Sequence, residues 1–158
     1  MIVETVIAFI VSSLLSFTGL SAKADGCFIY VPSLNHKFIV TLTCVDWLGI
    51  LLQASMYMFI MWVYFTANGY LIRRRTYFVL GITGFVAFFC ANIGRMFTEI
   101  FLVVNVYYSV YQQYLIHWQA FEEQIGLGMM VSTLLILSLL SYSLFKRRFK
   151  EASLKPSF

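Results

Sequence analysis

Residues Met56–Arg95 read MYMFIMWVYFTANGYLIRRRTYFVLGITGFVAFFCANIGR, and how this stretch is read decides the fold. Two long apolar runs flank one basic triplet, Arg73, Arg74 and Arg75, with Asn68-Gly69 just ahead of it. A helix rises about 1.5 Å per residue, so about 20 apolar residues cross a hydrocarbon layer of about 30 Å. Followed to their natural ends, the runs occupy 46–70 and 76–104, a pair of spans joined by a short basic turn.

Working outward, a third run at 125–145 is closed by Lys146, Arg147, Arg148 and Lys150. A fourth occupies 2–22, near the N-terminal end of the sequence. Ala22-Lys23-Ala24 imitates a signal-peptide cleavage site, but the run begins with Glu4 and no Lys or Arg. A secretory signal wants positive charge there, so the segment is read as a retained first span. The expectation is an all-α polytopic membrane protein: a four-transmembrane-helix bundle in one domain, 1–150, with a polar tail at 151–158. An even number of spans separates the 73–75 triplet from the 146–150 cluster, so both lie on one side. Basic residues favour the cytoplasmic-equivalent side, which predicts N-in/C-in with 23–37 and 105–124 outside.

Composition agrees. The 158 residues are 61% hydrophobic and 11% charged, with mean hydropathy +0.83. Soluble domains are about 45–50% apolar and about 25% charged. The net charge of +4 sits mainly at span ends, where it sets topology rather than binding nucleic acid. Cys27, Cys44 and Cys90 form neither a C-x-x-C pair nor a zinc spacing, and a Cys27–Cys44 bridge stays open. Pro32, Ser33 and Asn35 make the first outer connection a turn-rich loop.

Asp46, Arg95 and Glu99 lie in or beside apolar runs, where an ionisable residue raises the question of ion movement. Depth arithmetic answers it. Asp46 stands 27 residues before Arg73, about 40 Å of helix, and Arg95 stands 20 after Arg75, about 30 Å. All three charges therefore fall near the outer boundary. Arg95 and Glu99 are spaced i, i+4, so they can meet on one face and form an outer ion-pair cluster with Asp46. The midplane positions, near Ser12, Met58, Ala87 and Ile136, carry no charge.

Gly84, Ala87, Ala91 and Gly94 place small residues along the third span, the pattern that lets helices approach closely in lipid. Tyr107, Tyr111, Tyr114, Trp118 and Phe121 recur at 4-3-4-3 spacing in the outer segment 105–124. That stripe suits an interfacial aromatic belt or a docking surface for a partner.

Catalytic signals are missing: there is no Gly-rich phosphate loop and no H-E-x-x-H. His36 and His117 are the only histidines, and both are expected near the outer boundary. The expectation is no enzyme, no metal and no cofactor, while the bulky Phe and Met faces of spans two and three suit lipid tails, a bound lipid or quinone, or neighbouring subunits. The four-span layout, the basic tail, the small-residue third span and the run Phe121-Glu-Glu-Gln-Ile-Gly-Leu-Gly128 resemble claudin- and peripheral-myelin-type tetraspans. Those families carry a longer first outer segment with a Gly-Leu-Trp and two-cysteine signature, which this chain lacks. The resemblance covers layout and carries over no residues. The expected role is contact: an accessory, assembly or stabilising subunit of a larger membrane complex, with other membrane subunits and the bilayer as partners. The alternative is an oligomeric channel or transporter with Asp46, Arg95 and Glu99 at its mouth. A cofactor-binding anchor, the third class, would need His36 or His117 to hold something.

Overall fold

The structure, a computed structural model, describes residues 2–70, 74–107 and 115–153, without the side chains of 107, 115–119, 121 and 148–153. The chain is mostly helical. Helix α1 (Ile2–Phe17) leads into a three-stranded sheet of β1 (Lys23–Asp25), β2 (Phe28–Val31) and β3 (His36–Ile39). A single turn of helix, α2 (Leu42–Val45), precedes α3 (Trp47–Ala67), α4 (Arg74–Leu102) and α5 (Leu115–Ser153). A π-helical turn, Val103–Tyr107, extends α4.

Three helical stretches are long and apolar enough to cross a membrane: Leu42–Ala67, Arg74–Val106 and Glu122–Arg147, with mean hydropathy of 1.6 to 1.9. The fourth is shorter than its sequence suggests. Helix α1 has 16 residues, about 24 Å, and stops at Phe17 rather than 22. The reason is a glycine-dependent C-cap. Gly19 takes φ +89°, its N–H reaches the Ser16 carbonyl, and the Leu20 N–H reaches back to Leu15. This is a Schellman ending, with Leu15 and Leu20 in the same apolar cluster. The end of α3 repeats it: Gly69 sits at φ +69°, and Tyr70 N–H bonds the Phe65 carbonyl.

The segment read as a turn-rich loop is instead an antiparallel sheet in the order β1-β2-β3, with Ile29 opposite Phe38 and Val31 opposite His36. Gly26, at φ +61°, makes the tight turn between the paired Asp25 and Phe28. Pro32–Leu34 form one 3₁₀ turn, and Asn35 reverses the chain at φ 49°, a conformation asparagine tolerates. Strand β2 buries Ile29 and Val31 while Tyr30 stays half-exposed, so one face of the sheet meets α1.

Two apolar clusters result. In the first, Ile7, Ala8, Val11 and Leu15 of α1 join Ile29, Val31 and Val40 around Met96 and Ile100. All its α4 members lie between Phe89 and Val104, so α1 and the sheet occupy one end of the bundle, the sheet end. In the second, Ile50, Ala54, Tyr57, Met61 and Phe65 of α3 meet Leu80 and Phe88 of α4 and Leu134, Leu137 and Phe145 of α5. The opposite end, where α3 turns into α4, is the turn end. It carries an aromatic cluster: Tyr64 against Tyr142 at 4.9 Å and Phe65 against Phe145 at 4.9 Å, both edge-on. Lys146 caps this cluster, its Nζ 5.5 Å from the centre of the Tyr142 ring.

Candidate functional site

The charged residues converge at the sheet end around Arg95, and the break between α2 and α3 makes this arrangement work. Asp46 interrupts the helix by adopting a left-handed conformation, φ 46° and ψ 54°. In an unbroken helix the Gly49 N–H would bond the carbonyl of Val45, four residues back. Here the Asp46 carboxylate accepts that N–H at 3.1 Å, as a helix N-cap does. The Cys44 and Val45 carbonyls are left without their helical donors, and a buried carbonyl needs one. Asn92 of α4 supplies it, its Nδ2 lying 2.8 Å from the Val45 oxygen and 3.1 Å from that of Cys44.

Arg95 completes the knot with its whole guanidinium. Nη2 donates to the Cys44 carbonyl at 2.9 Å and Nε to the Asn92 Oδ1 at 3.1 Å. Nη1 pairs with Glu99 at 3.0 Å and with Glu122 of α5 at 3.5 Å. Four separate acceptors match the fixed fork of arginine, which lysine cannot reproduce. The group is buried: Asn92 is 2% exposed and Glu99 8%. Gly126 of α5 makes room for it, since a Cβ there would lie 3.0 Å from the Arg95 Cδ. The knot thus ties the α2–α3 junction, α4 and α5 together at one level.

The expected ion-pair cluster of Asp46, Arg95 and Glu99 is therefore met in two members. Arg95 and Glu99 pair, but among the described residues Asp46 makes no ion pair. Its carboxylate caps α3, and Glu122 takes the place expected for it. A signal for the cap stood in the sequence, because Asp just before an apolar run is a helix-start residue. Asp46→Ala should cost about 1–2 kcal/mol, from the lost cap and the strained φ, whereas Asp46→Asn should be nearly neutral. Thermal unfolding in mild detergent reads the difference; equal damage from both would mean that the charge, not the cap, is what counts.

The small residues of α4 serve different neighbours. Gly84 is buried under Tyr57 of α3, where a Cβ would come within 2.8 Å of the Tyr57 Cδ1. Gly94 faces α5, where a Cβ would meet the Met129 Cε at 3.1 Å. Ala87 and Ala91 are half-buried. Between α3 and α5 the contacts include two polar ones: the Tyr57 and Ser141 hydroxyls are 2.6 Å apart, and Gln53 Nε2 lies 2.6 Å from the Met130 sulfur.

The aromatic stripe lies outside the described residues for Tyr111 and Tyr114, and outside the described side chains for Tyr107, Trp118 and Phe121. His117 shares that position. His36 packs edge-on against Phe38 at 4.8 Å in β3. Cys27, Cys44 and Cys90 hold free thiols. Among the described residues no three His, Cys, Asp or Glu side chains gather as a metal site would require. Compared with protein-family models, curated proteins and solved structures, the chain matches none. Its functional reading rests on the geometry alone.

Proposed function

We propose that the chain is a multi-pass membrane protein that acts by contact, as an accessory or stabilising subunit of a larger membrane complex. Helices α3, α4 and α5 cross the bilayer, and the shorter α1 adds a fourth apolar helix beside the sheet-end half of α4. The turn end faces the cytoplasmic-equivalent side, because Arg74, Arg75, Lys146 and Arg147 gather there. Helix α1 runs toward the sheet end, so its start points to the same side, in keeping with an N-in/C-in arrangement. The turn-end ring of Tyr64, Tyr70, Tyr77 and Tyr142 suits the headgroup boundary.

The observation that carries the contact reading is what Arg95 touches. Each of its three nitrogens meets a group of the protein's own backbone or side chains, in a clamp between helices rather than along a path. On α3, α4 and α5, between that clamp and the turn end, 47–67, 76–94 and 124–145 contain no Asp, Glu, Lys or Arg, and α1 brings a single acid, Glu4, in its first turn. A carrier of ions wants such groups near the midplane. The outer faces of the helices are apolar instead: Leu48, Leu52, Met56 and Phe59 on α3, and Leu135, Leu139 and Leu140 on α5, are exposed. Those faces meet lipid and neighbouring subunits.

Native mass measurement after extraction in mild detergent tests this reading. A defined hetero-complex is expected, and purified protein in liposomes should conduct no ions. A homo-oligomer whose ion flux disappears in Glu99→Gln would replace the contact reading with a channel.

A further inference from the structure

Between α3 and α5, on the turn-end half of the bundle, lies a groove of about 300 Å³. Ile60 and Tyr64 form one wall, and Leu135, Ser138, Leu139 and Tyr142 the other. Tyr142 also borders a second cavity, of about 460 Å³, whose lining includes Lys146 and Arg147. The apolar groove and the cavity that holds two cations thus share Tyr142 as a common wall. From Leu134, at the deep end, to Lys146 is 12 residues, about 18 Å of helix. One leaflet of hydrocarbon is about 15 Å deep, half of the bilayer core.

We propose that this groove is a binding site for one anionic phospholipid of the leaflet at the turn end. One acyl chain lies along Ile60, Leu135 and Leu139, and the headgroup phosphate meets Lys146 and Arg147. Charge complementarity selects the occupant. An apolar chain alone would fit any lipid, but two exposed cations at the mouth favour a net negative headgroup. The Lys146 Nζ lies 5.5 Å from the centre of the Tyr142 ring, the residue that both cavities share, so a cation–π contact biases the ammonium toward the groove side of the helix. The site needs the bundle to sit in a membrane; it does not depend on the contact function or on any partner.

Native mass spectrometry of the full chain, loaded with phosphatidylglycerol or phosphatidylcholine of equal acyl length, tests both halves of the site. The wild type should retain one phosphatidylglycerol about tenfold or more in preference to phosphatidylcholine, the size of effect two interfacial cations supply. The double variant Lys146→Gln/Arg147→Gln should lose that preference. Leu139→Trp, which fills the groove from a lipid-facing position, should release both lipids, and Leu48→Trp, on the far part of α3, should release neither. Leu135→Trp serves as a second filler should Leu139→Trp fail to fold by circular dichroism. Equal retention of the two lipids by the wild type would overturn the site. So would a phosphatidylglycerol preference that both groove-filling variants leave intact, since the basic helix end alone would then explain it.

Discussion

Arg95→Leu is expected to destabilise the protein by about 3–5 kcal/mol, the range for removing one partner of a buried ion pair. The substitution strands Glu99, which is 8% exposed, without its cation and takes a donor from the Cys44 carbonyl. It also removes the bond that orients the Asn92 side-chain oxygen. For a chain of this size the melting temperature should fall by roughly 10 °C or more, measured by circular dichroism in mild detergent. Arg95→Lys should recover only part of the loss, because one ammonium cannot reach the same spread of acceptors. Glu122→Gln should cost much less, since that carboxylate is partly exposed and sits 3.5 Å from the guanidinium. Removing Glu99 together with Arg95 should restore some stability, because the uncompensated buried charge goes with it. An Arg95→Leu protein that melts within a degree of the wild type would mean that the knot holds nothing together.

Tyr57→Ala should produce a loss of similar size, about 3–5 kcal/mol, by emptying the centre of the three-helix contact. Tyr57 is fully buried, its ring lies over Gly84 of α4, and its hydroxyl is bonded to Ser141 of α5. Truncation removes apolar packing and leaves the Ser141 hydroxyl without its partner. Tyr57→Phe separates the two terms. It keeps the ring and deletes only the hydroxyl, so it should cost about 1 kcal/mol or less, as interhelical hydrogen bonds in membranes do. The same melting experiment decides. If the phenylalanine variant were as damaged as the alanine variant, the hydrogen bond rather than the ring would be the joint between α3, α4 and α5.

What could be read from the sequence follows from physical range. The helices α3, α4 and α5 announce themselves, because an apolar run closed by arginines or lysines needs only local counting. The meeting of Arg95 and Glu99 was also legible, being one turn apart. Glu122 was not, since nothing in its neighbourhood points 27 residues back to Arg95; only the approach of α5 through Gly126 brings it there. The role of Asp46 follows from its position rather than its charge: a carboxylate at the first turn of an apolar helix is a cap before it is an ion partner. Asn92 escaped for the opposite reason, as an uncharged residue in an apolar run, although a buried amide must bond something. The early end of α1 was written in Thr18-Gly19-Leu20, but glycine in a lipid-facing run reads equally as a packing residue. The strands of the sheet, three or four residues each, are too short for alternation to stand out.

The measurement that bears most directly on the central claim is water access to the interior of the bundle. Ala54→Cys and Ser141→Cys place thiols at buried sites on α3 and α5, in a background where Cys27, Cys44 and Cys90 are replaced by serine or alanine. In liposomes, a membrane-impermeant maleimide should leave both thiols unmodified while labelling a control cysteine at Lys23 or Lys146, whichever faces the added reagent. Rapid labelling at Ala54→Cys or Ser141→Cys in the folded protein would reveal a hydrated passage between the helices, and the chain would then be a conduit rather than a contact subunit.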